Sequence, residues 1–204
     1  MGQVVALDEL LIERKVWRGQ PTALPPSAQP TGHALLDAAL PLGGWPEHAL
    51  IEVLHPVDGV GEFDLLVPTL ARLTQGGEAV AFVAPPYVPY AHGLEDRGFD
   101  LRFVHIVDAE PSRELWAFEQ CLRSGACAAV LGWPRKVDDH GLRRLQVAAD
   151  AGRSLAFVFR DAKFATNPSP AALRLDVGRT RSVRVRKCRG GVAPAQAFVV
   201  AGHH

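Results

Sequence analysis

Four apolar runs, Ala79–Ala84, Phe103–Val107, Ala128–Leu131 and Leu155–Phe159, follow one another along the chain with helical segments between them. A strand with one wet face alternates apolar and polar residues. A strand that is apolar throughout must be covered on both faces, which is the condition of a parallel sheet layered with helices. Leu50–Leu54 is a fifth run of this kind. Helices are expected near Ala91, from Ser112 to Ser124 and from Asp138 to Ala151. Another should carry Leu65, Leu66, Leu70 and Leu73, and Thr31 is placed to cap one running through Leu40. Asp138, Asp139 and His140 resemble an acid–base cluster, but carboxylates suit the positive end of a helix, so a helix start is the better reading. After Asp161 the pattern changes to a loop, Phe164–Ala172, and short strands at Leu173–Val177, Ser182–Lys187 and Ala197–Val200. The expected fold class is α/β: a mostly parallel sheet flanked by helices, with a small C-terminal β extension.

The N-terminal end is organised differently. Leu7–Arg18 has helical amphipathicity, with Leu10, Leu11 and Trp17 on its apolar side, and prolines at 21, 25, 26 and 30 make an extended linker. The expected division is an N-terminal helix at 1–19, a linker at 20–30, an α/β core at 31–162 and the C-terminal loop and strands at 163–204. No apolar run reaches the ~18 residues of a membrane span, and the N-terminus lacks the layout of a signal peptide, so a cytoplasmic protein is expected. Cys121, Cys127 and Cys188 form no CxxC pair, and the 8 histidines show no ligand-like spacing, so no metal and no cofactor are expected. Net charge is zero, yet residues 1–134 hold 8 basic against 17 acidic residues, and residues 135–204 hold 14 against 5. That polarity directs attention to the C-terminal third for an anionic partner.

Residues 50–75 have the strand, loop and helix layout of a phosphate-binding loop, which requires Gly, four residues, Gly-Lys and then Ser or Thr. With Gly61 at the second glycine, Pro56 stands at the first, Glu62 at the lysine and Phe63 at the hydroxyl residue. A unit charge ~4 Å from a phosphate is worth ~4 kcal/mol at an effective dielectric of ~20, so exchanging lysine for glutamate is a swing of roughly 8 kcal/mol before relaxation. Pro56 donates no backbone N–H, and Phe63 cannot ligate Mg²⁺. The run at 128–131 leads into Gly132, Trp133 and Pro134, where a Mg²⁺-binding carboxylate would be needed. On pattern alone, a plain strand-to-helix turn with two glycines is an alternative reading of residues 56–61.

TGHALLDAALPLGGWPEHALIEVLH, beginning at Thr31, resembles the opening of RecA-type cores. GVGEFDLLVPTLARL, AFVAPPYVPYAHGLEDRGFDL and LWAFEQCLRSGACAAVLGWP closely resemble the SulA/ImuA group, over roughly Leu7 to Val200. The resemblance implies a RecA-like core without ATPase chemistry, hence a protein that is not an enzyme and acts by binding other proteins. Both extensions resemble the ImuA branch. That branch implies an adaptor in SOS-induced translesion DNA synthesis with RecA and an ImuB-like partner. The SulA branch implies a cell-division inhibitor that binds FtsZ, and a residual ATPase is a third reading.

Two stretches are candidate contacts. Pro85-Pro86-Tyr87-Val88-Pro89-Tyr90 holds Tyr87 and Tyr90 in a rigid loop at the carboxyl end of a strand, where α/β folds place binding surfaces; core packing is the competing explanation. Arg179, Arg181, Arg184, Arg186, Lys187 and Arg189 put six cations in eleven residues. Lys163 precedes them, in a segment that carries a DNA-contacting loop in RecA-like folds. Alternation within Ser182–Lys187 sends Val183 and Val185 to one face and Arg184 and Arg186 to the other. This is either a cationic ribbon for DNA or an acidic protein surface, or an edge strand kept soluble by charge.

Overall fold

The computed structural model describes residues 26–200. The helix expected to carry Leu10, Leu11 and Trp17, and the expected linker up to residue 25, lie outside the described residues. Eight strands form one sheet: β1 (Leu50–His55), β2 (Val80–Val83), β3 (Val104–Val107), β4 (Ala129–Gly132), β5 (Leu155–Asp161), β6 (Leu173–Val177), β7 (Ser182–Cys188) and β8 (Ala197–Val199). Their order across the sheet is β3-β2-β4-β5-β1-β6-β7-β8. Strands from β3 to β6 pair in parallel, and the β6–β7 and β7–β8 pairs are antiparallel. The C-terminal strands are therefore continuous with the main sheet, since β6 lies parallel against β1.

Among the described residues, five helices cover the sheet: α1 (Ala34–Ala39), α2 (Val67–Gln75), α3 (Ala91–Glu95), α4 (Glu114–Arg123) and α5 (Asp139–Gly152). Alternate residues along each strand feed two separate cores. Ile51, Val53, Phe82, Leu131 and Phe157 pack with α1, α2 and α3, while Leu50, Ala81, Val130, Ala156 and Val158 pack with α4 and α5. The central strands are buried on both faces, as unbroken apolar runs require. At the edge, β3 is only partly buried.

Some local expectations need correction. Thr31 does not cap α1; His33 is the N-cap, and the Thr31 N–H instead donates to the Asp37 carboxylate at 2.9 Å. The helix after the loop begins at Val67 rather than directly after Gly61, and residues 62–66 form turns. Pro68 lies in its first turn, where the missing N–H costs nothing. Asp138 does cap α5, accepting the Gly141 N–H at 2.7 Å.

The end of the proline-rich stretch is stitched to the core. Ser27 donates its N–H to the Leu42 carbonyl and its hydroxyl to the Trp45 carbonyl. Trp45 is fully buried and donates its indole N–H to the Thr69 hydroxyl at 2.8 Å, and that hydroxyl faces the Pro30 and Thr31 carbonyls.

Candidate functional site

The connections from β1 and β2 run over one face of the sheet and those from β3 and β4 over the other, so the carboxyl ends of the central strands open into a crevice. Four loops line it, following β1, β2, β4 and β5. It has a polar lobe of about 620 Å³ beside His55, Arg135 and Lys163, and an apolar lobe of about 590 Å³ beside Phe63, Tyr87 and Tyr90. Asp58, Pro86, Tyr87 and Trp133 line both lobes.

The loop after β1 holds the four residues in question. Gly61 has φ +101°, and a Cβ there would lie 2.8 Å from the Arg181 side chain, so glycine is required on both conformational and steric grounds. Glu62 is 7% exposed, and its Oε1 accepts the Gly59 N–H at 2.7 Å. A backbone donor that a phosphate would need is thus occupied by the loop's own carboxylate. Phe63 stacks on Phe99 at 6.3 Å and meets Phe82 edge-on at 5.7 Å, so it fills apolar space. Pro56 lines the polar lobe. At the end of β4, a Cβ on Gly132 would fall 2.4 Å from the Phe118 ring, so no carboxylate fits there. Trp133 follows, stacked on Phe159 with centroids 4.5 Å apart and planes 2° apart.

The loop after β2 leaves the sheet through Ala84, whose φ of +48° is costly for a residue with a Cβ. Tyr87, Val88 and Tyr90 then stand 71%, 92% and 72% exposed. Trp116 on α4 is also exposed, unlike the buried Trp45.

The loop after β5 is pinned by charge. Glu52 is completely buried, and its Oε1 and Oε2 accept from Arg160 Nη1 and Arg174 Nε, each at 2.5 Å. The Arg174 guanidinium also donates to the carbonyls of Phe164, Ala165 and Asn167, and Arg160 lies 4.5 Å from the Phe164 ring centroid. Lys163 is exposed and paired with Asp161 at 3.0 Å. Its backbone N–H and then its ammonium hold the Asp161 carboxyl below the usual range.

The basic residues gather at the β6–β7–β8 end of the sheet, but they are not a uniform ribbon. Arg186 forms a forked pair with Asp176 on β6, Arg181 lies 3.5 Å from Asp64, and Lys187 donates to the Ser169 carbonyl. Partial burial, then Arg174 and Arg189, push the Lys187 ammonium below its ordinary range. Arg179, Arg184 and Arg189 are exposed and make no ion pair among the described residues. Among the described residues, two of the six cations, Arg181 and Arg186, face carboxylates, and Lys187 keeps its charge while bound to a carbonyl. Val183 and Val185 are buried, as the alternation requires. β7 is not a bare edge either, since β8 covers Ser182–Arg184.

His55, Asp58, Glu52, Arg160 and Arg174 were not among the residues singled out from sequence. A lone glutamate inside the apolar run at 50–54, followed 108 positions later by an arginine ending the run at 155–159, was a usable sign of a buried pair. His55, Asp58 and Glu62 offer ligand atoms within 4.8 Å of one another, a cluster the histidine spacings did not suggest. Burial pushes the thiols of Cys121, Cys127 and Cys188 up, away from the reactive thiolate. No helix of the described residues is long and apolar enough to cross a membrane.

A family model described as "Cell division inhibitor SulA" matches residues 51–156, just over half of the chain. The chain belongs to the SulA family. A curated relative, the cell division inhibitor SulA of Edwardsiella piscicida, is 29% identical over 120 residues, covering 57% of this chain and 71% of its own length. The crystal structure of SulA from Pseudomonas aeruginosa aligns with 54% of this chain and 97% of that chain, at 22% identity and a TM-score of 0.46. The SulA match runs from β1 to the start of β5, so it contains the loops carrying Glu62, Tyr87 and Trp133 and stops before the basic arm.

Proposed function

We propose that this SulA-family chain is a non-catalytic, cytoplasmic binding protein that acts on the division protein FtsZ through the aromatic rim of the crevice. The observation that carries the reading is the coincidence of two features in the matched segment. Exposed Tyr87, Val88 and Tyr90 stand on a proline-stiffened loop, and beside them a carboxylate occupies the backbone donor that a nucleotide would use. Rigid amphipathic aromatics make interface anchors at small entropic cost. Purified protein should lower the amount of FtsZ that sediments with GTP. Tyr87→Ala with Tyr90→Ala should weaken that effect on the order of 10–100-fold, while thermal stability changes little because both rings are exposed. Undiminished FtsZ sedimentation with the unaltered protein would overturn the reading. Titration with labelled ATP and Mg²⁺ tests the absence of enzyme chemistry, and micromolar binding would restore the ATPase reading.

A second reading is favoured by the arm that the family match does not reach. β6, β7 and β8 extend the sheet beyond it and carry Arg179, Arg184 and Arg189. In this reading the chain is an adaptor of the ImuA type in SOS-induced translesion synthesis, with a RecA-like core that the strand order supports. RecA and an ImuB-like protein are its partners, and the basic arm is a second contact for DNA or an acidic surface. Retention of RecA or the ImuB-like protein by the immobilised chain, with FtsZ passing through, would select this reading. Retention of neither would remove it.

A further inference from the structure

Exchange of lysine for glutamate does more than spoil an anion site; it builds an acceptor-rich pocket of the opposite sign. Around the loop after β1, Asp64 is paired with Arg97 at 2.8 Å and with Arg181 at 3.5 Å, and Asp161 is paired with Lys163. Asp58 and Glu62 have no arginine or lysine partner among the described residues. Glu62 Oε2 is buried and accepts no hydrogen bond, although the residue is 93% withdrawn from solvent on its 7% exposure. A carboxylate oxygen left this way bears its full desolvation cost. His55, itself 6% exposed, places Nδ1 3.1 Å from the Val57 carbonyl oxygen and 3.7 Å from Asp58 Oδ1. Nδ1 thus lies beside a carbonyl oxygen and one carboxylate, with the orphaned Glu62 carboxylate in the same cluster.

We propose that His55, Asp58 and Glu62 bind a divalent transition-metal cation of the Zn²⁺ class. One ligand atom from each lies within 4.8 Å of the others. Ligand atoms around an ion with bonds of about 2.0–2.2 Å sit roughly 3–3.5 Å apart, so the widest spacing of the cluster has to contract by roughly 1.5 Å. Asp58 is exposed, and the next residue, Gly59, has φ +81° with nothing within 4 Å of an added Cβ, so the loop has room to close. One imidazole and two carboxylates suit Zn²⁺ or Mn²⁺ better than a soft ion. The crevice leaves the remaining coordination positions open to water or to a donor group from a partner. The ion would replace the orphaned contact of Glu62 and stiffen the loop between the two lobes.

The inference stands apart from the choice of partner, and its test uses no partner. The full chain, stripped with a chelator, is titrated with Zn²⁺ by calorimetry and with Co²⁺ by visible absorption. Uptake of one equivalent, with Co²⁺ ligand-field bands, is expected, and Glu62→Gln and Asp58→Asn should each weaken it at least tenfold. Glu62→Gln keeps an oxygen for the Gly59 N–H, and His55→Phe keeps a ring against Phe159, so neither substitution should unfold the protein; circular dichroism checks this. His55→Phe should shift or abolish the Co²⁺ bands. No uptake overturns the proposal, and is also the result expected if a partner's lysine fills the pocket. Uptake unchanged by all three substitutions overturns it equally, by assigning the ion to other histidines or cysteines.

Discussion

Replacing Glu52 by glutamine removes the negative charge that pairs with two buried guanidinium groups. The Arg160 and Arg174 side chains are 4% and 7% exposed, and Glu52 is 0% exposed, so water cannot take over. After the change Arg174 keeps three carbonyls of the 164–167 segment, and Arg160 keeps the Val137 carbonyl and the Phe164 ring. Arg160 Nε already lacks a partner. Breaking a buried pair from one side costs about 3–5 kcal/mol, out of the ~5–15 kcal/mol by which a typical domain is stable. At about 2–4 °C per kcal/mol for a chain of this size, Tm should fall by roughly 6–20 °C. Urea unfolding followed by circular dichroism and tryptophan fluorescence measures the loss. Limited proteolysis should also find new cleavage in residues 162–170. Arg174→Met should cost less, because it leaves Glu52 and Arg160 as a balanced pair. A loss below about 1 kcal/mol for Glu52→Gln, or a greater one for Arg174→Met, would refute charge balance as the reason these residues are together.

Thr69→Val leaves the buried Trp45 indole N–H without an acceptor and should cost about 1–3 kcal/mol by urea unfolding, although the shape is conserved. Glu119 on α4 gives a pH dependence. Burial raises its pKa, but hydrogen bonds from Arg144 and Arg123 outweigh burial and set the folded value below the ordinary one. Its contribution is therefore present above the unfolded carboxylate value and lost as pH falls through the lower folded value. Between pH 6 and pH 3 the unaltered protein should lose more stability than Glu119→Gln, and parallel curves would contradict the assignment. On the basic arm, Arg184→Glu with Arg189→Glu should weaken any anionic partner and flatten the salt dependence of binding, whereas Arg186→Gln should matter less because Asp176 already neutralises Arg186. Fluorescence anisotropy with a labelled oligonucleotide, or with an acidic protein, at several salt concentrations reads both.

Much of the architecture was written locally. An apolar run such as Val80–Val83 can exist only between two covering layers, so the buried sheet and its helices follow from hydrophobic periodicity alone. The same holds for Val183 and Val185 inside β7, and for Asp138 as a cap, because neighbours in sequence decide those features. That Glu62 and Phe63 stand where a phosphate loop requires a lysine and a hydroxyl residue is likewise a matter of residue identity. What Glu62 does instead was not legible, because its partners are set by a turn: Gly59 donates to one oxygen and nothing reaches the other. Nor was the state of the cations. Lys163, Arg181 and Arg186 are alike in sequence, but register places Asp176 near Arg186, and packing brings Asp64 to Arg181. The joining of Glu52, Arg160 and Arg174 comes from adjacent parallel strands more than a hundred residues apart in the chain. Periodicity reports which face a residue turns to. Strand order, register and packing decide which charges meet there, and in a buried setting that pairing determines whether a charge is a structural lock, a ligand or a free contact.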